Sequence, residues 1–145
     1  MHRRLCIVLA LASLLLAACN NTPTDSPDEV VQQQLPGTWL REFEEDGIRV
    51  RRILVLEPDG KFREMVRVTD AGGAVTEHSH AGEWLYDGTN LKRKYTSMDG
   101  KQPSAPTMPF APFELRFQSR NEFIGIDNVR RREVRYRRVQ PETLP

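Results

Sequence analysis

The sequence predicts an all-β fold, an antiparallel eight-stranded up-and-down meander that closes into a small barrel after a short N-terminal helix. Three observations support this prediction. Eight short runs of strand-forming residues follow residue 37, and turn residues bound each of them. Turns such as Asp59-Gly60 and Asp87-Gly88 are typical of β-hairpins, and no helical period separates the runs. Eight strands are enough to close a barrel around side chains or one small ligand.

The first residues predict a secretory signal. A charged start, MHRR, precedes an apolar run from Leu5 to Ala18. A membrane-spanning helix needs roughly 20 residues, so this run is too short to span, whereas its small-residue end is typical of a cleaved signal. Both cysteines, Cys6 and Cys19, lie within this segment or at its edge, which excludes a disulfide within the rest of the chain.

Residues Leu16-Ala17-Ala18-Cys19 resemble the lipobox of bacterial lipoprotein precursors. The resemblance implies cleavage before Cys19, attachment of diacylglycerol to its thiol and acylation of the new amine, and several acyl chains make a stable anchor. Asn20 follows the cysteine where an aspartate would favour inner-membrane retention, so we expect an anchor in the outer membrane at its periplasmic face. The predicted organisation is a signal peptide at 1–18, a lipidated tether and short helix at 19–34, a lipocalin-like barrel at 35–140 and a tail at 141–145.

The charge balance argues against a nucleic-acid partner. The full chain has 21 basic and 20 acidic residues, and loss of Arg3 and Arg4 with the signal leaves 19 basic residues. A nearly neutral domain in the envelope is not expected to bind nucleic acid. The sequence also has no nucleophile elbow and no glycine-rich phosphate loop, so we expect neither enzymatic activity nor a cofactor.

The polar, proline-containing tether ends in a segment that predicts a short helix. Ser26 is a suitable N-cap, Pro27 fits the first helical position, and Glu29 completes a capping box. Val31 and Leu35 are four residues apart and would share one face of the helix.

Hairpin geometry predicts which strand faces form the core. A two-residue turn at Asp59-Gly60 would place Ile53 opposite Val66. Ile48 and Val50 are out of phase with Ile53, so we expect a bulge near Arg51-Arg52. Glu64 would then face inward, with Arg51 as its partner. The predicted strands are Thr38–Glu44, Ile48–Glu57, Lys61–Thr69, Ala74–Tyr86 (with a bulge at Gly82), Asn90–Ser97, Phe113–Gln118, Glu122–Asp127 and Arg132–Val139.

Gly37-Thr38-Trp39, after a short helical turn, resembles the Gly-x-Trp motif of lipocalins and related calycins. The segments PDGKF, GEWLY and DGTNLK resemble segments of small bacterial lipocalin-like lipoproteins. The resemblance implies that Trp39 closes one end of the barrel and that an arginine from the last strand packs across it. The candidates for this arginine lie between Arg130 and Arg138, and we select Arg135 and Arg137.

The lipocalin-like barrel implies a small apolar or amphipathic ligand. Trp84, Tyr86, Tyr95 and Phe110 are the predicted contacts, the last on a proline-rich loop near the barrel mouth. The alternative is an envelope adaptor with a filled core. It would use the proline-rich loop Met98–Pro112 or the arginine-rich strand against a protein or an anionic envelope partner.

Two further clusters have structural and functional interpretations. The arginine-rich last strand would either bind an anion or pair with acidic residues of the first strand, and we favour the ion pairs. His78 and His80 share one strand face and would suit zinc or copper with a third ligand. Glu77 and Glu83 point to the other face, so we expect exposed histidines and no metal.

Overall fold

The computed structural model describes residues 25–103, 111–127 and 131–145, so Cys19 and Phe110 lie outside the described residues. Within this part, the predicted fold class is confirmed. Each strand pairs antiparallel with its neighbour along the chain, and the first pairs with the last to close the barrel. No helix of the described segments is long and apolar enough to cross a membrane. The elements are α1 (Pro27–Gln34), β1 (Gly37–Glu45), β2 (Ile48–Leu56), β3 (Lys61–Thr69), β4 (Val75–Tyr86), β5 (Asn90–Met98), β6 (Phe113–Ser119), β7 (Glu122–Asp127) and β8 (Glu133–Val139).

The predicted capping box begins α1. The Glu29 N–H donates to the Ser26 hydroxyl at 3.2 Å, and the Ser26 N–H donates to the Glu29 carboxylate at 2.7 Å. At the other end of the helix, Leu35 is fully buried, and its carbonyl accepts a hydrogen bond from the Trp39 indole at 2.8 Å. Helix α1 therefore packs against one end of the barrel, called here the closed end.

The β2–β3 hairpin corrects the predicted register by one residue. The Glu57 N–H donates to the Lys61 carbonyl, so the loop has three residues and ends at Gly60, whose φ is 83°. The ladder then pairs Arg52 with Val66 without a register shift, and the predicted Ile53–Val66 pair and nearby bulge are wrong. Because side chains alternate along a strand, the shift turns Arg52 inward and leaves Arg51 outside.

The bulge predicted at Gly82 is present. The pairing of β4 with β5 shifts register between Ala81 and Gly82, which brings Tyr95 opposite the glycine. A Cβ atom at Gly82 would overlap the Lys94 carbonyl oxygen and press on the Phe62 ring. Glycine is therefore required at this position, because the backbone of β5 and the Phe62 ring leave no room for a side chain.

Aromatic side chains fill the closed half of the barrel. Trp39 meets Phe123 edge-on with ring centroids 4.7 Å apart, and Phe123 stacks on Tyr136 at 4.9 Å. Phe113 stacks on both of these rings in turn. These contacts leave the closed half as packed core, so a small-molecule site inside the barrel must lie towards the other end.

The outer wall carries a second apolar contact. Leu40 and Ile53 are cross-strand partners that face away from Trp39, yet they are 2% and 0% exposed. The C-terminal tail runs beside them, since the Arg51 side chain donates to the Leu144 carbonyl at 3.1 Å. The tail and the outer wall border a groove of about 700 Å³. Ile53 is thus buried, but outside the barrel rather than in the core face that the sequence predicts.

Candidate functional site

Arg138 is the arginine that closes the barrel. Its guanidinium carbon lies 4.2 Å from the centroid of the Trp39 ring, and its Nη1 atom donates to the Pro36 carbonyl at 2.9 Å. The assignment of Arg135 and Arg137 to this role is corrected, because side chains at odd positions of β8 face outward. The even positions, Val134, Tyr136 and Arg138, face the barrel interior.

The outward arginines of β8 form ion pairs. Arg137 binds Glu42 at 3.1 Å, and Arg132, which precedes β8, reaches Glu45 at 3.9 Å. Arg135 pairs with Glu122 of the neighbouring strand β7. These contacts agree with the ion-pair interpretation of the arginine-rich strand. Exposed pairs of this kind typically contribute less than about 1 kcal/mol each.

The predicted ligand contacts do not form one site. Trp84 is almost fully buried beside α1, and its indole N–H donates to the Glu57 carbonyl at 2.9 Å. Tyr86 lies near Asp28 of the same helix. Tyr95 lies at a different level, with its hydroxyl 3.4 Å from the Glu64 carboxylate. The predicted contact Phe110 falls outside the described residues.

The end of the barrel opposite α1 is partly open and is called here the mouth. Phe43, Val50 and Val68 face inward at this end, as their cross-strand pairing shows. All three are only half-buried, although they belong to the inner face. Their accessible surface makes an apolar wall on the side of the mouth formed by β1, β2 and β3.

Below this wall lie four charged side chains, Arg41, Arg52, Glu64 and Arg93, named here the arginine cluster. Glu64 and Arg93 are 1% and 4% exposed, and they pair at 2.7 Å. Arg52 is 3.5 Å from the same carboxylate, which is long for a hydrogen bond. Arg41 lies near Arg52, Arg93 and Tyr136.

The cluster holds Glu64 ionised. Burial opposes the charged carboxylate, but a hydrogen bond from His80 and the charges of Arg93 and Arg52 lower the pKa of Glu64 to about 2. Burial raises the pKa of Tyr95 to about 12, so its hydroxyl stays neutral and donates a hydrogen bond to Glu64. At neutral pH, Glu64 therefore stays ionised and Tyr95 stays neutral.

Positive charge in the arginine cluster exceeds negative charge. Its four side chains carry three guanidinium groups and one carboxylate. The Nε atoms of Arg52 and Arg93 are buried, and neither has a hydrogen-bond partner among the described residues. A buried cation with an unused donor is costly unless an acceptor reaches it. The arrangement can therefore bind an anionic oxygen, which would accept a hydrogen bond from one of these N–H groups.

Sequence reasoning missed Arg52 and Arg93. The signal for Arg93 was present, because it stands between Leu91 and Tyr95 in the inward phase of β5 and so interrupts an otherwise apolar face. Arg52 gave no such signal, since the predicted register placed it on the wrong face. Glu64 does face inward as predicted, but its partners are Arg52 and Arg93 rather than Arg51.

The two histidines lie at the mouth. His78 and His80 share the inward face of β4, and Glu77 faces outward as predicted. The expectation of exposed histidines is wrong for His80, whose side chain is 14% exposed and contacts Glu64. His78 is more accessible and contacts Asp99.

The sequence matches no known family model and no curated protein. The closed eight-stranded barrel is compatible with a lipocalin-like fold. The stacked Trp39–Arg138 pair behind the Gly-x-Trp motif adds to that likeness.

Proposed function

We propose that this chain is a lipoprotein anchored at the periplasmic face of the outer membrane, whose barrel binds one small amphipathic ligand with an acidic head group. The observation that carries the proposal is the buried, unpartnered Nε atom of Arg52 in a cluster with excess positive charge. No catalytic role is needed for this function, and we propose a binding protein rather than an enzyme.

The mouth suits a ligand that enters with its head group first. An acidic group on the arginine cluster would supply the acceptor that the Nε atom of Arg52 lacks, and hydrogen bonds to charged groups contribute about 1.5–3 kcal/mol. The apolar part of the ligand would then lie against Phe43, Val50 and Val68. Arg52 is reachable from the mouth, since a quarter of its side chain is exposed.

The position of α1 supports a mouth that is free to receive the ligand. The tether after Cys19 joins the barrel through α1, which packs against the closed end. As a flexible coil, the seven residues from Asn20 to Ser26 would span roughly 15 Å. An anchor at Cys19 would therefore hold the barrel by the end opposite the mouth.

The adaptor alternative has less support among the described residues. Arg135 and Arg137 are occupied by Glu122 and Glu42, so the arginine-rich strand offers little unpaired charge to an anionic partner. The centre of the proline-rich loop lies outside the described residues.

Native mass spectrometry of the protein purified from membranes tests the anchor and the ligand together. We expect a chain that begins at an acylated Cys19 and carries a co-purified acidic amphiphile. A Cys19→Ala chain should be unprocessed and unacylated. An unmodified Cys19 in a full-length chain would overturn the proposed localisation.

Calorimetric titration with decanoate and 1-decanol, which share a chain length, tests the head group. On residues 20–145, decanoate should bind at least about tenfold more tightly. Arg52→Gln should remove this preference, whereas Arg51→Gln, next to it on the outer wall, should keep it. Equal affinities for the two probes in the unmodified protein would contradict the acidic head group.

A further inference from the structure

Three side chains with metal-ligand chemistry meet at the rim of the mouth. The imidazoles of His78 and His80 are nearly parallel, with an interplanar angle of 20° and ring centroids 6.1 Å apart. Asp99, from the turn after β5, adds a carboxylate. One ligand atom from each of the three residues lies within 4.8 Å of the others. We infer that His78, His80 and Asp99 bind a divalent late first-row metal ion of the Zn²⁺ or Cu²⁺ class.

The backbone of β4 holds Asp99 in place. The Asp99 N–H donates to the Ser79 carbonyl at 2.7 Å, and the Ser79 N–H donates to Asp99 Oδ1 at 2.8 Å. The second oxygen, Oδ2, lies 2.8 Å from His78 Nδ1. The carboxylate is thus fixed against the strand that carries both histidines, so little ordering remains to be done when an ion binds.

A second carboxylate orients His80. Its Nδ1 atom lies 3.1 Å from Glu64 Oε1, which leaves Nε2 as the free ligand atom. Histidines that bind metals commonly donate their other ring N–H to a carboxylate, which fixes the tautomer and the ring orientation. Glu64 also pairs with Arg52 and Arg93, so its negative charge offsets these two guanidinium groups beside the site.

The donor set selects the class of ion. Two imidazole nitrogens and one carboxylate oxygen favour zinc and copper, whereas magnesium and calcium require mainly oxygen ligands. Three protein ligands leave one coordination position for water or another molecule. His78 and Asp99 also border an outer groove of about 390 Å³, which gives an ion a path from solvent.

Titration of the metal-free mature protein with Zn²⁺, Cu²⁺ and Mg²⁺ tests this site. We expect one equivalent of Zn²⁺ or Cu²⁺ to bind and no saturable binding of Mg²⁺. The remaining histidine of the chain, His2, lies in the predicted signal, so histidine ¹⁵N resonances report His78 and His80 alone. Both should shift on Zn²⁺ binding.

Variants separate the site from adventitious binding. His78→Ala and Asp99→Asn should each weaken Zn²⁺ binding at least about tenfold. Glu77→Gln, adjacent but outward-facing, should leave it unchanged. Unfolding curves recorded on the same samples check that each variant folds. Asp99→Asn keeps the shape of the side chain, so it tests the site even if His78→Ala does not fold. Absent Zn²⁺ binding in the unmodified protein, or equal affinity in Asp99→Asn, would overturn the inference.

Discussion

The guanidinium of Arg138 stacks on Trp39 and also donates to the carbonyls of Gln34 and Pro36, so one side chain joins β8 to the end of α1. The glycine of the Gly-x-Trp motif belongs to the same contact. A Cβ atom at Gly37 would overlap the Arg138 guanidinium, and the φ angle of 140° also favours glycine. The missing side chain of Gly37 leaves room for the Arg138 guanidinium, and the Trp39 ring provides the face on which it stacks.

Replacement of Arg138 should open this end of the barrel. Arg138→Ala removes the stacking on Trp39 and the hydrogen bonds to the carbonyls of Gln34, Pro36 and Arg120, so we expect a loss of about 2–4 kcal/mol in the free energy of unfolding. Urea denaturation measures it. Arg137→Ala, in an exposed ion pair with Glu42, should lose less than about 1 kcal/mol. Equal losses in the two variants would contradict the closing role of Arg138.

Removal of the Glu64 charge should destabilise the barrel interior. Glu64→Gln leaves Arg93, 4% exposed, without its ionised partner, and broken buried ion pairs typically cost about 3–5 kcal/mol. Thermal or urea unfolding provides the measurement. The control is Glu77→Gln, because Glu77 pairs with Arg67 on the exposed outer face. A Glu64→Gln protein as stable as this control would show that the carboxylate does not balance the arginines.

Acid should lower the stability of the protein by protonating the same carboxylate, Glu64. Arg52, His80, Arg93 and Tyr95 face Glu64, and its pKa falls from an ordinary 4.5 to about 2. A depressed pKa contributes stability that is complete above pH 4.5 and is lost as the pH falls towards 2, here about 3 kcal/mol. Urea midpoints from pH 6 to pH 2 should therefore drop more steeply for the unmodified protein than for Glu64→Gln. Parallel curves would contradict the shift.

Any side chain at Gly82 should strain the bulge. Gly82→Ala places a methyl group against the Lys94 carbonyl and the Phe62 ring, so we expect a loss of about 1–3 kcal/mol in unfolding free energy. Chemical denaturation measures the loss. The comparison variant is Gly72→Ala in an exposed turn, where the nearest atom is Asp70 Oδ1 at 3.3 Å. It should lose less, and the reverse order would show that β4 and β5 can separate at the bulge.

Local signals in the sequence were enough to determine the element order of this protein. The capping box at Ser26 and the bulge at Gly82 follow from interactions within a few residues or from backbone freedom that glycine alone supplies. Alternating patterns and turn residues likewise place all eight strands to within a residue or two at each end. These features depend on short-range geometry, which a linear sequence carries directly.

Register and long-range contact were decided only by the tertiary structure. One extra residue in the loop before Lys61 turned Arg52 inward to Glu64. The alternation of side chains along β8 directs Arg138, rather than Arg137, to the contact with Trp39. Sequence reasoning placed the histidines on one face but could not supply Asp99. The physical reason is the two-residue period of a strand: a shift of one residue exchanges the faces, and only the closed barrel shows which residues of distant strands meet.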